Sequence, residues 1–250
     1  MQKVFKSVWF LSLLLILIPS LISAQTAFPK LSVGIEESTN PSDFVLTIQI
    51  VFLLTILSLA PSILIMMTSF TRLVIVFHFL RSALATQTVP SNQILIGLAL
   101  FITFFIMKPV INEINKTALQ PYLQEEITQT EALKRAGEPL KAFMVKQTRE
   151  KDIQLFVHLR GAEAPGSASM IPLSTIIPAF IISELKTAFQ IGFLLYLPML
   201  VIDMIIASVL LSMGMMMLPP IMISMPFKIL LFVLVDGWYL TVESLVKGFV

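Results

Sequence analysis

The sequence predicts an all-α, membrane-associated chain built of apolar helical hairpins and one polar helical segment. Three observations carry this reading. Of 250 residues, 56% are hydrophobic and 13% charged, with a mean hydropathy of +0.90; a soluble domain carries roughly 25% charged residues. Four apolar runs punctuate the chain, at residues 44–67, 94–107, 187–211 and 221–235. A segment dense in both signs of charge, residues 110–162, separates the first two runs from the last two. The net charge of +2 provides no field for nucleic acid, and the absence of cysteine excludes disulfides, thiolate chemistry and Cys-ligated zinc.

Each element has its own signal. Lys3 and Lys6 precede an apolar run and then Leu21-Ile22-Ser23-Ala24, the pattern of a signal peptide cleaved after Ala24; an uncleaved first anchor is the other reading. Residues 44–67 are uncharged and long enough to span a bilayer, with a kink expected at Pro61. Residues 69–91 carry Arg72 and Arg81 with no nearby acid, which predicts a short loop on the cytoplasmic side. His78, set among apolar neighbours, reads as a packed or interfacial histidine, with no local partner for a metal. Ser91 suits a helix N-cap before the second span, which ends at Lys108-Pro109.

In the polar segment, Leu140, Phe143 and Met144, then Ile153, Phe156 and Val157, fall at i, i+3, i+4 spacing and predict amphipathic helices, with a break at Gly137 and a new first turn at Pro139. Counting crossings places this segment outside the cytoplasm. Residues 161–169 read as an exposed turn, since the lysine of a phosphate loop is missing. Residues 171–182 carry Pro172 and Pro178 and predict a short re-entrant or packed segment, distinct from the third span that starts at Thr187. The resulting division is 1–24, leader; 25–112, N-terminal apolar helices with the loop 69–91; 113–186, helical region outside the cytoplasm; 187–250, C-terminal apolar hairpin.

The hairpin turns at Met213-Gly214-Met215-Met216-Met217-Leu218-Pro219-Pro220. Six of the 14 methionines lie between Met213 and Met225. Methionine is flexible and polarizable, and three in a row at a bend cannot all face one core. The bend is either a Met-rich core turn or a soft constriction, repeated around a ring of subunits. Asp203 lies twelve residues before Met215 and Lys228 twelve after Met216, so in an antiparallel hairpin both sit about 18 Å from the bend. Charges at such depth need a partner or water. They form an ion pair within the chain or between neighbours, or each reaches separately to water. Glu184 and Lys186 join them as charges expected in ion pairs between helices or subunits.

Four stretches in order resemble the FliP family of flagellar type III export-gate proteins: residues 68–76 (TSFTRLVIV), 81–90 (RSALATQTVP), 183–193 (SELKTAFQIGF) and 213–220 (MGMMMLPP). The resemblance runs over most of the chain after the leader. It implies a pentamer assembled with FliQ-like and FliR-like subunits into a conical, helically arranged channel of the inner membrane, open toward the periplasm. FlhB-like and FlhA-like proteins dock around it, and unfolded flagellar proteins pass through. It implies that Met215, Met216 and Met217 close the pore, that Phe143, Phe156 and Glu184 serve self-assembly in a periplasmic region, and that hydropathy overstates the true crossings. No catalysis and no cofactor are expected. The competing reading is an oligomeric ion channel or small-solute transporter, which calls for polar solute-binding groups at the midplane.

Overall fold

In a computed structural model the chain is described over residues 41–86, 88–161, 171–215 and 217–249, and the secondary structure there is helical, without strands. The leader read over residues 1–24, its cleavage after Ala24, Met216 and all but Gly161 of the turn read over 161–169 lie outside the described residues. The chain divides into two units after Leu53; the second, residues 54–250, holds the packed core.

Helix α1 (Pro41–Met66) contains Pro61 in an otherwise uninterrupted helix. Its residues Leu54, Leu57 and Leu64 are more than half exposed. Helix α2 (Phe70–Ala83) occupies the stretch expected to be a loop. It is instead the most deeply buried element, with Leu73, Val76 and Phe77 fully covered. Its apolar residues at 73, 76, 77 and 80 follow helical spacing, a pattern that the charge argument obscured. Helix α3 (Asn92–Ile114) runs through Lys108-Pro109, where the second span was expected to stop, and continues by a π-helical turn (Asn115–Leu119) into the short α4 (Gln120–Leu123).

Helix α5 (Gln129–Gln147) is capped by Thr128, whose hydroxyl accepts from the Glu131 amide. It passes unbroken through Gly137 and Pro139, against the expected break. Helix α6 (Glu150–Leu159) follows. The largest difference is α7 (Leu173–Ser212), a single helix of 40 residues containing Pro178 and Pro198. Residues 173–182 are the packed start of this helix and not a separate re-entrant segment, and the boundary drawn at 186/187 falls inside it. Both prolines are accommodated in a helix whose neighbours pack along it. The hairpin closes with α8 (Pro220–Leu234), and α9 (Gly237–Lys247) leaves it at 63°.

Three apolar clusters hold the second unit. The first joins α2, α3, α7 and α9 through Phe77, Ala99, Ala188 and Leu245. The second joins α5, α6 and the start of α7 through Met144, Val157, Ile176 and Phe180. The third sets Leu80 and Leu84 against Met199 and Phe232. Three helical stretches, Thr47–Met66, Asn92–Leu123 and Leu173–Ser212, are long and apolar enough to cross a membrane, and α8 with α9 makes a fourth if the bent pair counts as one. The chain is an all-α protein of membrane-spanning helices.

Candidate functional site

The hairpin tip is built by local backbone chemistry. At the end of α7 the Met215 amide donates to the Leu210 carbonyl and the Gly214 amide to the Leu211 carbonyl, both at 3.0 Å. These two bonds form a Schellman close, which requires a left-handed residue at Gly214; its φ is +75°. Pro220 then starts α8 at a position where its missing N–H has no helical acceptor to lose. Between these stops the chain presents Met215 and Met217 outward. Met217 is 98% exposed and Met215 41%, so neither is buried in a core of its own chain; Met216 is outside the described residues.

Below the tip, Lys228 Nζ lies 2.6 Å from Asp203 Oδ2, and the Ser224 hydroxyl donates to Asp203 Oδ1. Lys228 is 1% exposed. The two charges at matching depth thus meet inside one chain and lock α7 to α8. Ser224, one helical turn before Lys228, was not singled out from the sequence; a hydroxyl on the lysine's face of an apolar helix was the available signal.

Glu184 is fully buried and pairs with Arg72, not with Lys186. Arg72 Nε donates to Glu184 Oε2 at 2.8 Å, and its Nη2 donates to Oε1, a two-point fork. The same guanidinium reaches the Gln147 side-chain carbonyl at 3.3 Å and stacks over the Phe249 ring at 3.8 Å. Lys186 is exposed, on the side of Arg149 and Lys151. The fork also bears on the expected topology. Arg72 belongs to the stretch read as cytoplasmic, while Glu184 and Gln147 belong to the region read as lying outside. Residues in direct contact share one side of a membrane, so the two placements do not hold together. The missing acid for Arg72 lay 112 residues along the chain, beyond the reach of a local charge argument.

Phe143 packs within its own chain, 6.1 Å from Phe180 and stacked at 6.1 Å on Phe249, and so bridges the first two clusters. Phe156 is half-buried on α6. A second polar cluster ties α6 to α7. The Ser183 hydroxyl and Arg149 Nη2 both donate to Asp152 Oδ2 at 2.5 Å, and the Arg149 amide donates to Ser183 Oγ at 3.1 Å. Burial pushes the Asp152 carboxyl up, but the hydrogen bonds from Ser183 and Arg149 and the arginine charge outweigh it and hold the group below its ordinary range. Among the described residues no group of three His, Asp or Glu side chains is placed to hold a metal.

The comparisons with known proteins agree with one another. The profile of the FliP family matches residues 53–245. The chain is 58% identical over 217 residues to the flagellar biosynthetic protein FliP of Bacillus subtilis (strain 168), covering 87% of this chain and 98% of that one. It is 50% identical over 233 residues to the protein of the same name from Aquifex aeolicus (strain VF5), covering 92% and 96%. It is also 50% identical over 222 residues to that of Cereibacter sphaeroides, covering 89% and 73%. An all-α chain with three to four helices fit for a membrane, matched along nearly its whole core, belongs to the FliP family of flagellar biosynthetic proteins.

Proposed function

We propose that this chain is a channel-forming subunit of the flagellar export apparatus. Several copies, five by family resemblance, bring their hairpin tips together around one axis with FliQ-like and FliR-like subunits. The channel sits in the inner membrane with much of its mass toward the periplasm, among FlhB-like and FlhA-like components, and conducts unfolded flagellar proteins. Met215, Met216 and Met217 close it. The observation that carries the reading is the tip itself: a backbone fixed by the Gly214 close, whose Met217 side chain is 98% exposed. Thioether side chains from several copies make a dewetted constriction that excludes ions and, being unbranched, part around a passing chain and close again.

Asp203, Ser224 and Lys228 serve this device by fixing the register of α8 on α7, so that every copy offers its tip at one height. Glu184 and Phe143 contribute to assembly by holding the polar helical region in shape, and Phe156 and Lys186 do so from its surface.

The test is an ion-leak measurement in cells or in liposomes carrying the complex. The M215A/M216A/M217A triple variant should still assemble and should leak small ions well above the wild type. An assembled, ion-tight variant would remove the gate. The competing ion channel or small-solute transporter would purify alone or as a small homo-oligomer, whereas an export-channel subunit should carry other subunits, a difference that native mass spectrometry reads directly.

A further inference from the structure

The hairpin lock opens on its α2 side into a cavity of about 360 Å³, lined among others by His78, Arg81, Tyr196, Asp203 and Lys228. Charge is not balanced there. Among the described residues Asp203 is the one acid of the lining, and both of its oxygens are already engaged, one by Ser224 and one by Lys228. Arg81 is left with neutral acceptors. Its Nη1 donates to Asn92 Oδ1 at 2.6 Å and to the Pro90 carbonyl at 3.3 Å, and its Nη2 stands 3.2 Å from His78 Nδ1. Yet Arg81 is only 9% exposed. A buried cation without a counter-charge is costly, and an arginine stays charged.

The lining is also rich in donors. The Lys228 ammonium has three N–H groups and spends one on Asp203, and the Tyr196 ring borders the same space. Ser82 and Thr86 are not part of this surplus, because their hydroxyls donate back to the His78 and Arg81 carbonyls.

We infer that this cavity is a binding site for a phosphate group, taken up opposite Arg81 and Lys228. The guanidinium fork suits a tetrahedral oxyanion. The cavity is several times larger than one carboxylate needs. Ile221, which lines the cavity, is 59% exposed, which gives the acyl chains of a phospholipid an apolar surface on which to start. A lipid headgroup and free phosphate share this chemistry. The site is independent of the methionine constriction and stands whether or not the tips form a gate.

The test uses the full-length protein with its co-purifying subunits in detergent, and two probes: phosphatidylglycerol in mixed micelles and inorganic phosphate alone. Bound lipid is counted by native mass spectrometry, and phosphate binding is measured by calorimetry. Arg81→Gln should weaken binding at least tenfold. Tyr196→Phe, which keeps the ring, should weaken it a few-fold and decides the matter if R81Q fails to fold. Binding of phosphatidylglycerol but not inorganic phosphate assigns the site to a headgroup; binding of both assigns it to the free anion as well. If wild type, R81Q and Y196F bind both probes equally or not at all, the inference is overturned. It is equally overturned if R81Q keeps its phosphate binding but loses a co-purifying subunit, because another polypeptide's carboxylate then answers Arg81.

Discussion

The two halves of α7 are similarly apolar and lie in one helix, but they live in different surroundings. In residues 173–188 one face is covered: Ile176, Ala179, Phe180, Ser183, Glu184 and Ala188 are buried. In residues 189–212 only Gly192, Met199 and Leu210 are buried, and Phe193, Leu194, Met204 and Ile205 lie more than half exposed. The first half meets α2, α5 and α6 of its own chain, and the second meets α8 and, along one face, the later turns of α2. Apolar character alone therefore does not say what covers a helix. The first half has a covered face in the core, and most of the second is an exposed apolar surface of the kind that lipid or other subunits cover.

The difference is broken most forcefully in the first half. Glu184→Ala should cost about 3–5 kcal/mol, because Arg72 would stay buried without its acid. Thermal unfolding of the detergent-solubilised protein checks this, and Glu184→Asp, which keeps the charge, should recover part of the loss.

In the second half the corresponding pair is partly open to solvent on the acid's side, with 19% of the Asp203 side chain exposed. Asp203→Asn should therefore cost less, about 3 kcal/mol at most. The sharper experiment is the swap. Asp203→Lys alone should abolish assembly of the complex, and the double variant D203K/K228D should restore part of it. A double variant that assembles no better than the single one would show that the pair does not set the hairpin register.

These two pairs also mark how much was legible in the sequence. The Asp203–Lys228 pairing could be read because both charges stand at equal distance from a turn that Gly214 and Pro219-Pro220 announce. The hairpin and the helical class were legible for the same reason: they depend on local punctuation and apolar length. The Arg72–Glu184 pairing was not legible, because it joins helices brought together only by the packing of Phe77, Ala188 and Leu245. The same limit explains the misread topology. Arg72 looked unbalanced within its own stretch, and a positive-charge rule for loops was applied to a buried helix. Proline signals misled in a third way. Pro139 and Pro178 were given the weight they have in isolated helices, while tertiary packing holds α5 and α7 unbroken around them.

A smaller effect belongs to the α6–α7 junction, which fastens the covered half of α7 to the polar helices. Asp152 is held below the ordinary carboxylate range when folded, so it binds protons more weakly folded than unfolded. Its contribution is then complete above the unfolded value of about 3.9 and is lost as pH falls from there through the folded value. Unfolding followed from pH 7 to pH 3 should show a loss of stability setting in below about pH 4. Asp152→Asn should flatten that part of the profile while lowering stability at neutral pH. An unchanged acid slope in D152N would mean that other carboxylates set it.

The smallest effect on the isolated chain discriminates best between the halves. Leu194 is 64% exposed on α7, whereas Ile176, on the same helix, is fully buried. Ile176→Ala should cost about 2–5 kcal/mol, as for other buried aliphatic residues. Leu194→Ala should change the stability of the single chain by less than about 0.5 kcal/mol. If the second half of α7 is a subunit surface, L194A should nevertheless reduce the yield of assembled complex relative to free chain, measured by native mass spectrometry. If that half faces only lipid, alanine remains compatible with the bilayer and the assembled fraction should not move. The comparison thus turns on a substitution that is silent in the fold and visible in the assembly.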